Sequence, residues 1–207
     1  MISNRFKVVA FDCDGVLFDS SRSNRAYYNS ILERIGRPPM TDDQFAYVHM
    51  HAVDESLVFL SDDPQTLAAA QHCRREMSYL PFIRDMAMEP HLRDLLTRLR
   101  KAYKTAIATN RTDTMSHVLA EHDLQHLFDK VVTASDVPHA KPHPDQLLLL
   151  LGHFGIDPHQ MIFIGDSEVD AKAAQQAGVP FIAYDNPRLP AKAHIQNLGQ
   201  LLGVLGH

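Results

Sequence analysis

The stretch Phe6–Ser20, FKVVAFDCDGVLFDS, decides how the rest of the chain is read. Its apolar run from Val8 to Phe11 stops abruptly at two aspartates one residue apart, Asp12 and Asp14, and then at Gly15. A short, continuously apolar, β-branched run is the pattern of a strand buried on both faces of a parallel sheet. In open α/β sheets ligands bind beyond the carboxyl ends of the strands, so both aspartates are delivered to that crevice, while alternation sends Cys13 to the other side. Two carboxylates held together in a low-dielectric crevice repel unless a positive charge sits between them, so the pair predicts a bound metal or a basic neighbour. Gly15 lets the backbone turn close to whatever binds there.

Outward from this strand the period changes. Tyr28, Ile31, Leu32 and Ile35 fall at helical spacing and are stopped by Gly36 and the Pro38–Pro39 pair. No strand pattern follows until about Asp85; Asp42 to His49, Val53 to Leu60 and Gln65 to Leu80 read as helices, with the turn Ser61-Asp62-Asp63-Pro64 among them. A strand and helix rhythm then resumes. The pattern predicts a helix from His91 to Lys101 with a stripe of Leu92, Leu95, Leu96 and Leu99, a strand Thr105–Thr109, a helix Thr112–His122 and a strand Lys130–Thr133. Next come a leucine-rich helix Pro144–Phe154, a strand Met161–Ile164, a helix Ser167–Ala177 closed by Gly178, and a strand Phe181–Ala183 after Pro180. This alternation predicts an α/β fold, a doubly wound, Rossmann-like parallel sheet with helices on both faces, over residues 1–18 and 86–207. Residues 19–85 are expected to form a small all-helical unit inserted after the first strand.

Composition narrows the function classes. A chain of 207 residues at 45% hydrophobic content can bury one good core and carry a small insertion. A net charge of −5 leaves no electrostatic footprint for nucleic acid or an anionic membrane surface, so neither is expected as a partner. MISNRFK has no apolar run and no stretch reaches ~18 apolar residues, so no signal peptide or membrane span is expected. Cys13 and Cys73 make no disulfide framework, which suits a reducing cytoplasm. Among the 13 histidines, His122 with His126 and His49 with His51 have metal-compatible spacing, but no further ligands accompany them, and surface or polar-loop roles are expected.

DCDGVLFDS resembles the DxDGVxxDS/T signature of the haloacid dehalogenase-like hydrolases, most of which are phosphatases. Three further segments resemble that superfamily's motifs in order: TAIATN ending at Thr109 and Asn110, the lysine of AKPHP at Lys141, and IGDSEVD with Asp166 and Asp170. The resemblance implies a helical cap in the inserted unit and a phosphoryl-transfer site. In it Asp12 is the nucleophile, and Asp14 is the general acid and base, a role that favours a raised pKa. Mg²⁺ is the implied cofactor, held by the Asp12 carboxylate, the Asp14 backbone carbonyl and the Asp166 carboxylate, with Asp170 as a direct or water-linked partner. Thr109, Asn110 and Lys141 are implied to grip the phosphoryl group, and Ser167 to hold Asp166 or its turn.

Within the superfamily, Asp14 argues against dehalogenation, where no leaving alkoxide needs a proton. The absence of any lysine between Lys7 and Lys101 argues against the phosphonoacetaldehyde hydrolases and the hexose-phosphate mutases, which resemble this chain but use a cap lysine. A phosphoglycolate phosphatase-like enzyme acting on a small phosphate ester is therefore expected; the alternatives are a sugar-phosphate mutase and a non-catalytic binding module on the same fold. Of the cap cations Arg22, Arg25, Arg34, Arg37, Arg74, Arg75 and Arg84, Arg22 and Arg25 lie nearest the first strand in sequence and are the expected substrate contacts. His139 and His143 flank Lys141 and could line the entrance. MEPHL at Met88–Leu92 and Arg111 after Asn110 depart from the commonest pattern. A monomer is the default expectation, a dimer the alternative.

Overall fold

The computed structural model describes residues 6–206. β1 (Val8–Phe11) leads into β2 (Phe18–Asp19), and five helices follow: α1 (Ser21–Arg34), α2 (Asp42–Val48), α3 (Val53–Phe59), α4 (Pro64–Glu76) and α5 (Leu80–Ile83). The chain then runs through β3 (Ala87–Met88), α6 (Leu92–Leu99), β4 (Lys104–Ala108), α7 (Met115–Glu121), β5 (Lys130–Val132), α8 (Asp145–Phe154), β6 (Met161–Gly165), α9 (Glu168–Ala177), β7 (Phe181–Tyr184), β8 (Ala193–Ile195) and α10 (Leu201–Leu205). Six strands form one sheet in the order β5-β4-β1-β6-β7-β8, and every neighbouring pair is parallel.

Because β1 is central, its side chains feed two cores. Val8 and Ala10 pack with Leu147, Leu150, Ala173 and Ala174 of α8 and α9; Val9 and Phe11 pack with Leu95, Leu96 and Leu99 of α6 and with Leu201 of α10. Each fully buried aliphatic or aromatic side chain contributes about 1.5–3 kcal/mol, so the alternation holds helices on both faces. The chain leaves β1 toward β4 and β5, then returns across it to β6, which makes the carboxyl ends of β1, β4 and β6 the topological switch point.

The five helices leave and rejoin the α/β body through one antiparallel ribbon, in which Phe18 faces Met88 and Asp19 faces Ala87. α2 starts on a capping box between Thr41 and Gln44; α4 starts on Asp63, whose carboxylate accepts from the Gln65 and Thr66 amides, with Pro64 in its first turn. The helix expected over Gln65–Leu80 instead ends at Glu76, with Met77 extended, and reopens as α5. The reason is Pro81, which has no N–H for the carbonyl four residues back and whose ring crowds that carbonyl, whereas it is tolerated in a first turn. The helix expected from Thr112 begins at Met115. β8 and α10 complete the sheet and its cover beyond the last strand read from the sequence.

Cys13 and Cys73 are both buried and unpaired. Among the described residues no helix is long and apolar enough to cross a membrane.

Candidate active site

The ladders of β1 and β4 each run one residue beyond the strand. The Asp12 amide donates to Ile164 O at 2.8 Å and the Thr109 amide to Val132 O at 3.0 Å, so both side chains start from fixed backbone. Lys141 comes from the loop before α8, and Asn110 holds that loop in place: its Oδ1 accepts from Lys141 N at 3.0 Å and its Nδ2 donates to Lys141 O at 2.9 Å. The Lys141 side chain is 1% exposed and donates to Asp12 Oδ1 at 2.7 Å, Asp170 Oδ1 at 2.7 Å and Ala108 O at 2.9 Å. All three N–H donors of the ammonium are thereby used.

Asp12, Asp166 and Asp170 each bring a carboxylate oxygen within 4.8 Å of the other two. Backbone without side chains makes this approach possible. A Cβ on Gly15, whose φ is +78°, would collide with the Asp166 carboxylate, and one on Gly165 would collide with Asp170. Three carboxylates face one ammonium, so full ionisation would leave two uncompensated negative charges. Burial, reinforced by the Asp170 and Asp14 carboxylates and opposed by Lys141, pushes Asp12 up to about 7. Burial, with Asp170 and Asp12, pushes Asp166 well above the carboxylate range. Lys141, although burial works against its charge, is held in the charged form by Asp12 and Asp170. A hard-oxygen cluster short of two positive charges fits a divalent cation such as Mg²⁺.

A second ion pair lies beside the first. Arg111, with its side chain 6% exposed, donates from Nη2 to Asp14 Oδ1 at 2.6 Å and to the Tyr79 hydroxyl at 3.3 Å, while its guanidinium lies 5.1 Å from the centre of the Tyr79 ring. Ser20 Oγ donates to the same Asp14 oxygen. The Tyr79 hydroxyl donates to Asn24 Oδ1 at 2.5 Å, and Asn24 Nδ2 lies 3.1 Å from His49 Nδ1. This network corrects the expectation of a raised Asp14 pKa. Burial works in that direction, but the Arg111 guanidinium and its hydrogen bond outweigh it and hold the carboxyl below its ordinary range.

Both pairs open onto a cavity of about 440 Å³ lined from the α/β body by Asp12, Asp14, Thr109, Lys141 and Asp166, and from the helical segment by Tyr27, His49, Arg74, Arg75 and Tyr79. Several expected contacts fall elsewhere. Arg25 pairs with Asp42 at 2.8 Å and lies over the Phe45 ring, Arg22 is exposed, and neither lines the cavity. Sequence proximity to β1 misplaced them, because Asn24, Tyr27 and Tyr28 take the face of α1 that lines the cavity and Arg22 and Arg25 lie off that face. His139 pairs with Asp145 at 3.0 Å and packs on His143; neither lines the cavity. Asn110 lines it, but its amide also reaches Met50 O at 3.1 Å, so both ends of the side chain serve backbone groups. Ser167 caps α9 and donates to Asp170 Oδ2 at 2.5 Å, so it steadies Asp170 rather than Asp166. Arg111 and Tyr79 were missed as site residues; the available signal was an arginine directly after Thr109-Asn110.

The family profile described as haloacid dehalogenase-like hydrolase matches residues 9–184, and the chain belongs to that family. It falls in the phosphoglycolate phosphatase-like group and is an enzyme of the phosphatase class. It is 28% identical to the phosphoglycolate phosphatase of Aliivibrio fischeri over 183 residues, covering 83% of this chain and 81% of that one. It is 29% identical to the phosphoglycolate phosphatase of Escherichia coli O157:H7, covering 84% and 79%. Among solved structures, a subfamily IA, variant 1 hydrolase of the superfamily from Geobacter sulfurreducens aligns at 38% identity and a TM-score of 0.80, covering 98% and 97% of the two chains. The β-phosphoglucomutase of Clostridium difficile, at 18% identity, 95% and 93% coverage and a TM-score of 0.81, shares the fold.

Proposed function

We propose that this chain is a Mg²⁺-dependent phosphatase that hydrolyses a small phosphate monoester through an aspartyl-phosphate on Asp12, with phosphoglycolate, the substrate named for its relatives, as the favoured substrate. The observation that carries this reading is the meeting of Asp12, Lys141, Asp166 and Asp170, residues up to 158 positions apart in sequence, in one cluster of which Asp12, Lys141 and Asp166 line the cavity. The cavity volume suits a small molecule.

In the first step an Asp12 carboxylate oxygen forms a bond to phosphorus as the bond from phosphorus to the leaving oxygen breaks. Lys141 lets two anions approach, since its ammonium already touches Asp12. Thr109, 1% exposed and lining the cavity, offers its hydroxyl to a phosphoryl oxygen. Asp14 must carry a proton for the leaving alcohol in this step, against the Arg111 contact that favours its charged form. In the second step water attacks phosphorus, Asp14 takes the proton, and the Asp12–phosphorus bond breaks to release inorganic phosphate. The charged Asp14 favoured by Arg111 is the form this second step requires. The Asp12 and Asp166 carboxylates and the Asp14 backbone carbonyl would hold Mg²⁺, with Asp170 beside them. When bound, the ion supplies the charge neutralisation that phosphoryl transfer needs.

Residues 19–85 act in this reading as a cap that excludes water, hinged at the ribbon of Phe18 and Met88. A mutase is disfavoured because this segment holds no lysine. A small-molecule partner and a cytoplasmic setting, with two free cysteines, complete the proposal. Phosphate release from a generic aryl phosphate is expected with Mg²⁺, to fail with a chelator, and to fail in Asp12→Asn; equal release from that variant would sink the reading.

A further inference from the structure

A chain of hydrogen bonds runs from Arg111 through the helical segment to His49, and Arg111 sets its direction. A guanidinium can only donate. The Tyr79 oxygen therefore accepts from Arg111 Nη2, and its single proton goes to Asn24 Oδ1, 2.5 Å away. The other end of the Asn24 amide is set independently. Asp14, paired with Arg111, accepts the Ser20 proton, so Ser20 Oγ can only accept from Asn24 Nδ2, 3.4 Å away. Oxygen toward Tyr79 and nitrogen toward Ser20 describe the same orientation of the amide, reached from both sides. Asn24 Nδ2 spends its second hydrogen on His49 Nδ1 at 3.1 Å. An accepting Nδ1 leaves the proton of a neutral imidazole on Nε2.

His49, expected from the sequence in a surface or polar-loop role, instead lines the cavity, with its ring stacked on Phe45 at 5.1 Å between centroids. Its Nε2 has no protein partner among the described residues and is not sealed from solvent, so the cavity is where this N–H finds an acceptor. Burial, against the pull of Asp14, holds the His49 pKa below the ordinary histidine range, which keeps the ring neutral near pH 7. Ser20 and Asn24 join Asp14 to His49 through three successive contacts. The ring therefore stands on the side of Asp14, the residue that serves the leaving oxygen.

We propose that His49 is a specificity-determining residue: its Nε2–H, oriented by the Asn24 amide, donates to an oxygen on the alcohol part of the ester, so alcohols that present an acceptor are preferred over equally long ones that present a methylene. This rests on the phosphatase reading and deepens it, because the selection is by hydrogen-bond polarity and extends to uncharged alcohols. Arg74 and Arg75 line the same cavity and would draw in any anion, so an uncharged acceptor is the discriminating probe.

The test measures kcat/KM for 2-methoxyethyl phosphate and n-butyl phosphate, equal in length and differing by an ether oxygen in place of a methylene. The quantity read is the ratio of the two, compared between the wild type and each variant, so that leaving-group reactivity and any effect on Asp14 cancel. The wild-type ratio is expected to exceed that of His49→Phe by about 3–10-fold, the worth of one uncharged hydrogen bond. His49→Gln, which keeps an N–H donor, should retain part of the difference. Asn24→Leu leaves the ring but removes the amide that orients it, and should lower the ratio as well; it keeps the assignment testable if His49→Phe does not fold. An unchanged ratio in either variant overturns the assignment. So does a ¹⁵N spectrum of the histidines in which the His49 proton sits on Nδ1. A wild type that is active on both esters with such a result retains the phosphatase reading; one inactive on both and on an aryl phosphate loses that reading and this assignment together.

Discussion

The two buried ion pairs at the cavity differ in how their charges balance. Around Lys141, three carboxylates crowd one ammonium, and all the contacts of that ammonium come from the α/β body: Asp12, Ala108 and Asp170. Around Arg111 one guanidinium meets one carboxylate, and two of its other contacts, Tyr79 and Met86, come from the end of the helical segment and the chain just after it. An unbalanced cluster with excess negative charge attracts a cation, and only with that cation in place can it receive an anionic phosphoryl group. A balanced pair shared between two parts of the molecule sets where those parts sit. Charge imbalance therefore marks where chemistry is proposed, and charge balance marks where position and recognition are decided.

That contrast can be broken at several points, the largest effect first. Asp12→Asn is expected to keep the fold and lower kcat by roughly 10⁴-fold or more, measured as phosphate release. Lys141→Met leaves Asp12 and Asp170 buried without their cation; a loss of about 3–5 kcal/mol in urea unfolding is expected, together with loss of turnover. If Lys141→Met were as stable as the wild type, the view of this cluster as a charge-tight unit would be wrong. Mg²⁺ at about 100 times its dissociation constant should stabilise the wild type by about 2.7 kcal/mol in thermal unfolding, and Asp166→Asn should lose most of that gain. An equal gain in both would place the ion elsewhere.

On the balanced side, Tyr79→Phe removes a hydroxyl that joins Asn24 to Arg111, and about 1 kcal/mol of stability and a few-fold rise in KM are expected. The smallest effect is a control at the far end of the sheet, where Asp129 bonds Lys104 at 2.9 Å and Arg100 at 3.1 Å with more solvent access. Burial would raise its pKa, but the Thr105 amide, Lys104 and Arg100 lower it, so its folded value lies below its unfolded one. Its contribution to stability is then full above about pH 4 and lost as pH falls through the folded value. The stability gap between the wild type and Asp129→Asn should narrow below about pH 4; a gap that widens there would contradict that direction.

What was legible in the sequence was whatever is encoded locally. The run Val8–Phe11 announces a two-faced buried strand because each position must be apolar, and Asp12, Thr109 and Asp166 are legible because each directly follows such a run. Pro81 likewise contains the break between α4 and α5, although helical spacing alone ran past it. The misplaced Arg22 and Arg25 show the opposite case. Nearness in sequence says little about which face of a helix meets the site: Asn24 and Tyr27 of the same helix line the cavity, and Arg74 and Arg75, about fifty residues on, return to its wall.

The sequence by itself determined five of the sheet's six strands, its strand-end acids and the family, because burial periodicity and short motifs need only neighbouring residues to be read. Only the tertiary structure decided that Arg111 pairs with Asp14 beneath Tyr79 and that Lys141 joins Asp12 to Asp170. Those contacts join segments 29 to 129 residues apart, and no local pattern specifies which buried charge a distant one will meet.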